Sequence, residues 1–91
     1  LYAVFQGASS FNQDLSSWDT SNVNNTAYTF NGATSFNQNL SSWDTSNVTD
    51  MGSMFASAAS FNQPLTATPG GWDTSKVTSA GGMFSSASAF N

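Results

Sequence analysis

Residues 11–35 and 36–60 match at 15 of 25 positions without a gap. The first reads FNQDLSSWDTSNVNNTAYTFNGATS and the second FNQNLSSWDTSNVTDMGSMFASAAS. A third unit, 61–89, follows the same pattern after four extra residues between Leu65 and Trp72. Residues 1–10 correspond to the second half of a preceding unit, and 90–91 open a following one. A period near 25 residues makes each unit one coil, whose apolar face is buried only when neighbours stack on it. Neither end shows the polar cap that a terminal coil needs. The 91 residues are therefore expected to be a single segment of about three and a half repeats, a window of a longer array.

The repeat sorts the apolar residues into columns, which are the predicted core. Phe11, Phe36 and Phe61 form one, and Leu15, Leu40 and Leu65 the next. Trp18, Trp43 and Trp72 follow, then Val23, Val48 and Val77. Phe5, Phe30, Phe55 and Phe84 form a further column, and Ala8, Ala33, Ala58 and Ala87 another. Trp side chains at such positions are more often core than ligand platform.

Within a coil, Val48, Met51, Met54, Phe55 and Ala58 fall at steps of three and four, which predicts a helical stripe. The Asp44-Thr45-Ser46-Asn47 run offers N-cap oxygens before it. FNQxL with the following Ser-Ser-Trp is too short and polar for a helix and is expected to hold a short strand. The predicted class is α/β: a leucine-rich-repeat-like right-handed solenoid with one short strand and one helix per coil. In the first unit Thr26 and Thr29 stand where the second has Met51 and Met54, and Tyr28 is placed on the outer face.

Composition removes several functions. Ser, Thr, Asn and Gln supply 41 of 91 residues, and charged residues only 7%. One Lys and a net charge of −4 repel a phosphate backbone, so no nucleic-acid partner is expected. Without His or Cys there is no imidazole base, thiolate nucleophile or Cys/His metal site. Five Asp in repeat positions provide no separated acid and base, so no enzyme, catalytic residue or cofactor is expected. No apolar run reaches the ~20 residues of a membrane span. The aromatic residues, 14% of the chain, argue against disorder despite the polar excess.

Asp19, Asp44 and Asp73 form a charged column. Its like charges are offset in one of two ways. The plainer is an Asx turn onto the Ser and Thr that follow. The other is calcium between coils, with Asn22 and Asn47 as further oxygen ligands. The Asn12, Asn37, Asn62 and Asn91 column is read as a ladder that bonds the backbone of the next coil. Thr20, Thr45 and Thr74, with the Ser pairs 16–17 and 41–42, are a weaker candidate for a regular hydroxylated face. Asn24, Asn39 and Asn47 each open an N-x-Ser/Thr triplet and are glycosylation candidates if the source is a secreted eukaryotic protein. The 66–71 segment, with Pro69 and Gly70 as turn formers, is a surface loop and a candidate binding element.

FNQxLSSWDTSNV and the Met51-x-x-Met54-Phe55 phrase resemble the bacterial surface protein 26-residue repeat, a branch of the BspA-like leucine-rich-repeat surface proteins. The resemblance covers essentially the whole chain, with units one residue shorter. It implies an extracellular or cell-surface location and an adhesive or structural role, without catalysis. The expected function is a self-assembling surface repeat that stacks on itself or on neighbouring repeats into an array or filament. The alternative is an adhesin-type module that recognises a host protein or glycan through the strand face and the 66–71 loop.

Overall fold

The computed structural model describes residues 1–67 and 70–90; Thr68, Pro69 and Asn91 lie outside the described residues. The turn former Pro69 and the last member of the Asn column, Asn91, are thus not placed. The coils stack in register. In the segment 26–32, the N–H groups of Thr26, Tyr28, Phe30 and Gly32 donate to the carbonyls of Asp50, Gly52, Met54 and Ala56 at 2.8–2.9 Å. The same pattern joins Ala3, Phe5 and Gly7 to 27, 29 and 31, and Met51, Ser53, Phe55 and Ser57 to 79, 81, 83 and 85. All of these bonds run from the earlier coil to the later one.

The intervening N–H groups close tight turns. Thr29, Asn31, Ala33 and Phe36 donate to the carbonyls of Thr26, Tyr28, Phe30 and Ala33. Residues 26–36 are therefore four linked turns, each closed by a bond to the third residue back. Positive φ recurs at Ala3, Tyr28, Ser53 and Gly82, and again at Gly7, Gly32, Ser57 and Ser86. Each is the third residue of a turn, the place that a type II turn reserves for φ > 0. The backbone thus leaves the helical region every fourth residue.

This overturns the predicted α/β, leucine-rich-repeat-like solenoid. There is no helix among the described residues, and β structure is confined to three isolated parallel bridges, Asn25 with Asp50, Asp50 with Ser79, and Ala67 with Trp72. Helix propensity is low where Gly, Ser, Thr and Asn dominate. Coil spacing opposes a helix too. A helix is ~10 Å across, whereas Phe30 and Phe55 of successive coils stand 5.5 Å apart. The strand fails because the N–H of Asn37 bonds a side-chain amide instead of a backbone carbonyl. The molecule measures 29 × 26 × 23 Å, near-equal in all directions.

All eight Phe form two parallel ring stacks. Phe5, Phe30, Phe55 and Phe84 are one, with centroids 5.5–5.6 Å apart and planes within 9°. Phe11, Phe36, Phe61 and Phe90 are the other, at 5.9–6.0 Å. Within each coil the two stacks meet at 4.0–4.2 Å. Offset stacking of this kind adds to the burial term. Leu15, Leu40, Val48, Met51, Met54, Ala33 and Ala58 fill the rest of the buried cluster. Leu65, Val23, Val77, Phe11 and Phe84 pack against its edge, partly exposed. Trp43 and Trp72 are 0% and 4% exposed, but Trp18 is 41% exposed.

Candidate functional site

Three side-chain systems join the coils. In the first, the Oδ1 atoms of Asn12 and Asn37 accept from the N–H groups of Asn37 and Asn62 at 2.8 and 2.9 Å. Gln38 and Gln63 reinforce the ladder, since each Nε2 reaches both the carbonyl and the Oδ1 of the Asn one coil earlier. The Gln column was not singled out in the sequence, although it repeats beside the Asn column. In the second, Thr20 and Thr45 are buried. The Oγ1 of Thr20 accepts from the N–H of Asp44 at 2.9 Å, and that of Thr45 accepts from Asp73 at 2.7 Å. These hydroxyls also lie 3.2 and 3.0 Å from the carbonyl oxygens of the same two residues. Thr20 and Thr45 are thus interior cross-braces, and only Thr74 of that column is exposed. In the third, the indole N–H of Trp43 donates to the carbonyl of Leu15, and that of Trp72 to Leu40.

The Asp column turns inward on its own coil. The N–H and hydroxyl of Ser21 donate to Asp19 at 3.0 and 2.6 Å, and those of Ser46 to Asp44 at 2.9 and 2.6 Å. The N–H of Ser75 donates to Asp73 at 2.8 Å. The Ser21 and Ser46 hydroxyls, then their N–H groups, hold Asp19 and Asp44 below the ordinary carboxylate value. The Ser75 N–H comes first for Asp73, followed by its hydroxyl, with Lys76 adding to the same direction. Asp19 and Asp73 push Asp44 the other way, by less. Among the described residues no group of three or more acidic, His or Cys side chains could hold a metal ion. The geometry is therefore that of Asx turns.

Asp44 and Asp73 border an open cleft of about 610 Å³ beside the inserted segment, with Gly70, Gly71, Thr74 and Ser75 on its walls. Gly71 fixes the return of the loop, since its carbonyl accepts from the N–H of Thr45 at 3.2 Å. Asn24, Asn39 and Asn47, the triplet residues, are exposed. Asn39 caps its own turn through Ser41, and Asn47 bridges two coils by donating to the Ser21 carbonyl and accepting from Lys76. A second cavity, of about 410 Å³, lies between Met51, Trp72, Val77, Met83 and Phe84 and is mainly apolar.

Coils held in register by turns, ring stacks and side-chain ladders define a tandem-repeat protein. The chain belongs to the family described as Mycoplasma protein of unknown function, DUF285, whose model matches residues 1–91. No curated protein and no solved structure matches it. No helix among the described residues is long and apolar enough to cross a membrane.

Proposed function

We propose that the chain is a non-catalytic structural module of an extracellular or cell-surface repeat protein, acting by stacking coil on coil with neighbouring repeats of its own kind. The observation that carries this reading is the unbroken register of both Phe stacks through all four coils. Side-chain functional groups that would otherwise face a ligand are spent on coil-to-coil bonds, as in the Asn and Thr columns. The resemblance of FNQxLSSWDTSNV to the BspA-like surface repeats agrees with a surface role. The test is a chain with extra tandem copies of unit 36–60. Each added coil should raise stability and lengthen the particle by about 5 Å in small-angle scattering. A chain that gains neither overturns the reading.

The adhesin alternative is favoured by one observation, the cleft beside the inserted segment between Asp44 and Asp73. It predicts saturable binding to a host protein or glycan that is abolished when the four extra residues are removed.

A further inference from the structure

Asn31 and Gly32 form the one Asn-Gly pair in the chain. Every other Asn with a residue after it precedes Gln, Val, Asn, Thr or Leu. Asn-Gly is the pair most open to self-modification, because glycine puts no Cβ beside the attacking nitrogen. The pair lies in an interior coil with a stacked coil on either side, and both residues are only half-buried. Burial alone therefore does not shield the Asn31 side chain. The peptide group between the two residues is instead bound across coils at both ends. The Asn31 carbonyl accepts from the N–H of Gly7 at 2.7 Å, and the N–H of Gly32 donates to the Ala56 carbonyl at 2.8 Å. The turn adds a second restraint. It is closed from Ala33 to Phe30 at 3.0 Å, with Gly32 at φ +74°. A type II turn gives its second residue, here Asn31, a ψ of about +120°. An imide ring between Asn31 and Gly32 needs a ψ of the opposite sign.

We propose that Asn31–Gly32 is a self-modification site held shut by coil register: Asn31 converts to aspartate or isoaspartate only when the coil 36–60 parts from it. The inference rests on the coil-to-coil bonds and not on the proposed surface role, so either can fail without the other. In the reaction the Gly32 nitrogen loses its proton to hydroxide and attacks the Asn31 Cγ. A C–N bond forms, and the side-chain amide leaves as ammonia. Water then opens the five-membered imide at either carbonyl. The lone pair of a peptide nitrogen is shared with its carbonyl, so it attacks only once the proton is gone. The Ala56 carbonyl holds that proton. Isoaspartate carries the chain through its side-chain carbon and so lengthens the backbone within the turns. A coil altered in this way no longer matches its neighbour, which makes the conversion a one-way mark of parted coils.

The experiment holds the 91-residue chain at mildly alkaline pH, in buffer and in unfolding guanidinium chloride, and follows each Asn by peptide mass spectrometry. In denaturant Asn31 should convert faster than any other Asn. In buffer it should convert at least about tenfold more slowly, because the reaction waits for local opening. Phe55→Leu leaves the pair intact but replaces the ring that stacks on Phe30 at 5.5 Å. Exchange of the Gly32 N–H, read by NMR, reports the opening directly in both chains. Conversion of Asn31 should track that exchange, and a variant that fails to fold should convert at the denaturant rate. Conversion as fast in buffer as in denaturant, or conversion that departs from Gly32 exchange between the two chains, overturns the proposal.

Discussion

The indole N–H of Trp43 donates to the carbonyl oxygen of Leu15 at 3.0 Å, across the boundary between two coils. Trp72 repeats the bond to Leu40 at 2.8 Å, despite the extra residues between Leu65 and Trp72. A single buried side chain thus fills the core and fastens its coil to the one before.

The two roles of Trp43 separate by substitution. Trp43→Phe keeps an aromatic ring and loses only the indole bond to the Leu15 carbonyl, which still accepts from the N–H of Trp18, at a cost of about 1 kcal/mol. Trp43→Ser removes the ring as well and should cost ~3–5 kcal/mol. Urea denaturation followed by circular dichroism measures both, and equal losses would show that the hydrogen bond contributes nothing.

The left-handed turn positions make opposite predictions for two residues in one column. Gly32→Ala should lower stability by about 1–2 kcal/mol through backbone strain alone. Its new Cβ would sit 3.5 Å from the Gly7 Cα, an ordinary contact. The exposed Ser57, at φ +57°, should become more stable as Gly by roughly 0.5 kcal/mol, the strain relieved less the added chain entropy. Thermal melts of the two variants should shift in opposite directions.

Asp19, Asp44 and Asp73 titrate below their ordinary value of 3.8 in the folded chain. A depressed folded pKa gives stability that is present above the unfolded value and lost as pH falls through the folded one. The melting temperature should therefore hold from neutral pH down to about the ordinary Asp value and fall below it. Asp44→Asn keeps an acceptor for Ser46, as Asn39 does for Ser41, and should flatten part of that acid loss.

The Asn ladder is exposed, so its bonds compete with water. Asn37→Ala loses the acceptor for Asn62 and Gln63 and should cost about 1 kcal/mol. Asn37→Asp keeps the acceptor and should cost less, as read from denaturation midpoints.

Each Asp of the charged column is already closed on a Ser of its own coil. Neither added calcium nor EDTA should move the melting temperature. A calcium-dependent rise would restore the intercoil metal reading of Asp19, Asp44 and Asp73.

The columns were legible because stacking forces equal residues to one-coil spacing, and the Phe, Leu and Trp repeats announce that directly. The Asn12–Asn37 bond was legible for the same reason. The turns were not. Val48, Met51, Met54, Phe55 and Ala58 space their apolar residues as a helix does, and a run of tight turns that resets every four residues mimics that period. The discriminating signal was Gly7, Gly32 and Gly82 at turn positions within the supposed helix. The cross-bracing by Thr20 and Thr45 was not legible, because Thr is usually exposed and only the fold shows these hydroxyls buried between coils. Trp18 has the sequence of its column but not its burial, because coverage depends on the adjoining coil, not on the residue itself.

The extra residues between Leu65 and Trp72 change the spacing of the coil-to-coil bonds from 24 residues, as in Thr26 to Asp50, to 28, as in Met51 to Ser79, without breaking them. The repeat therefore counts contacts, not residues. One corner of the coil can absorb additions while the rest keeps phase, whereas an insertion within the turns would push every later column out of step. In this chain the one change in repeat length falls at that corner, away from the turns.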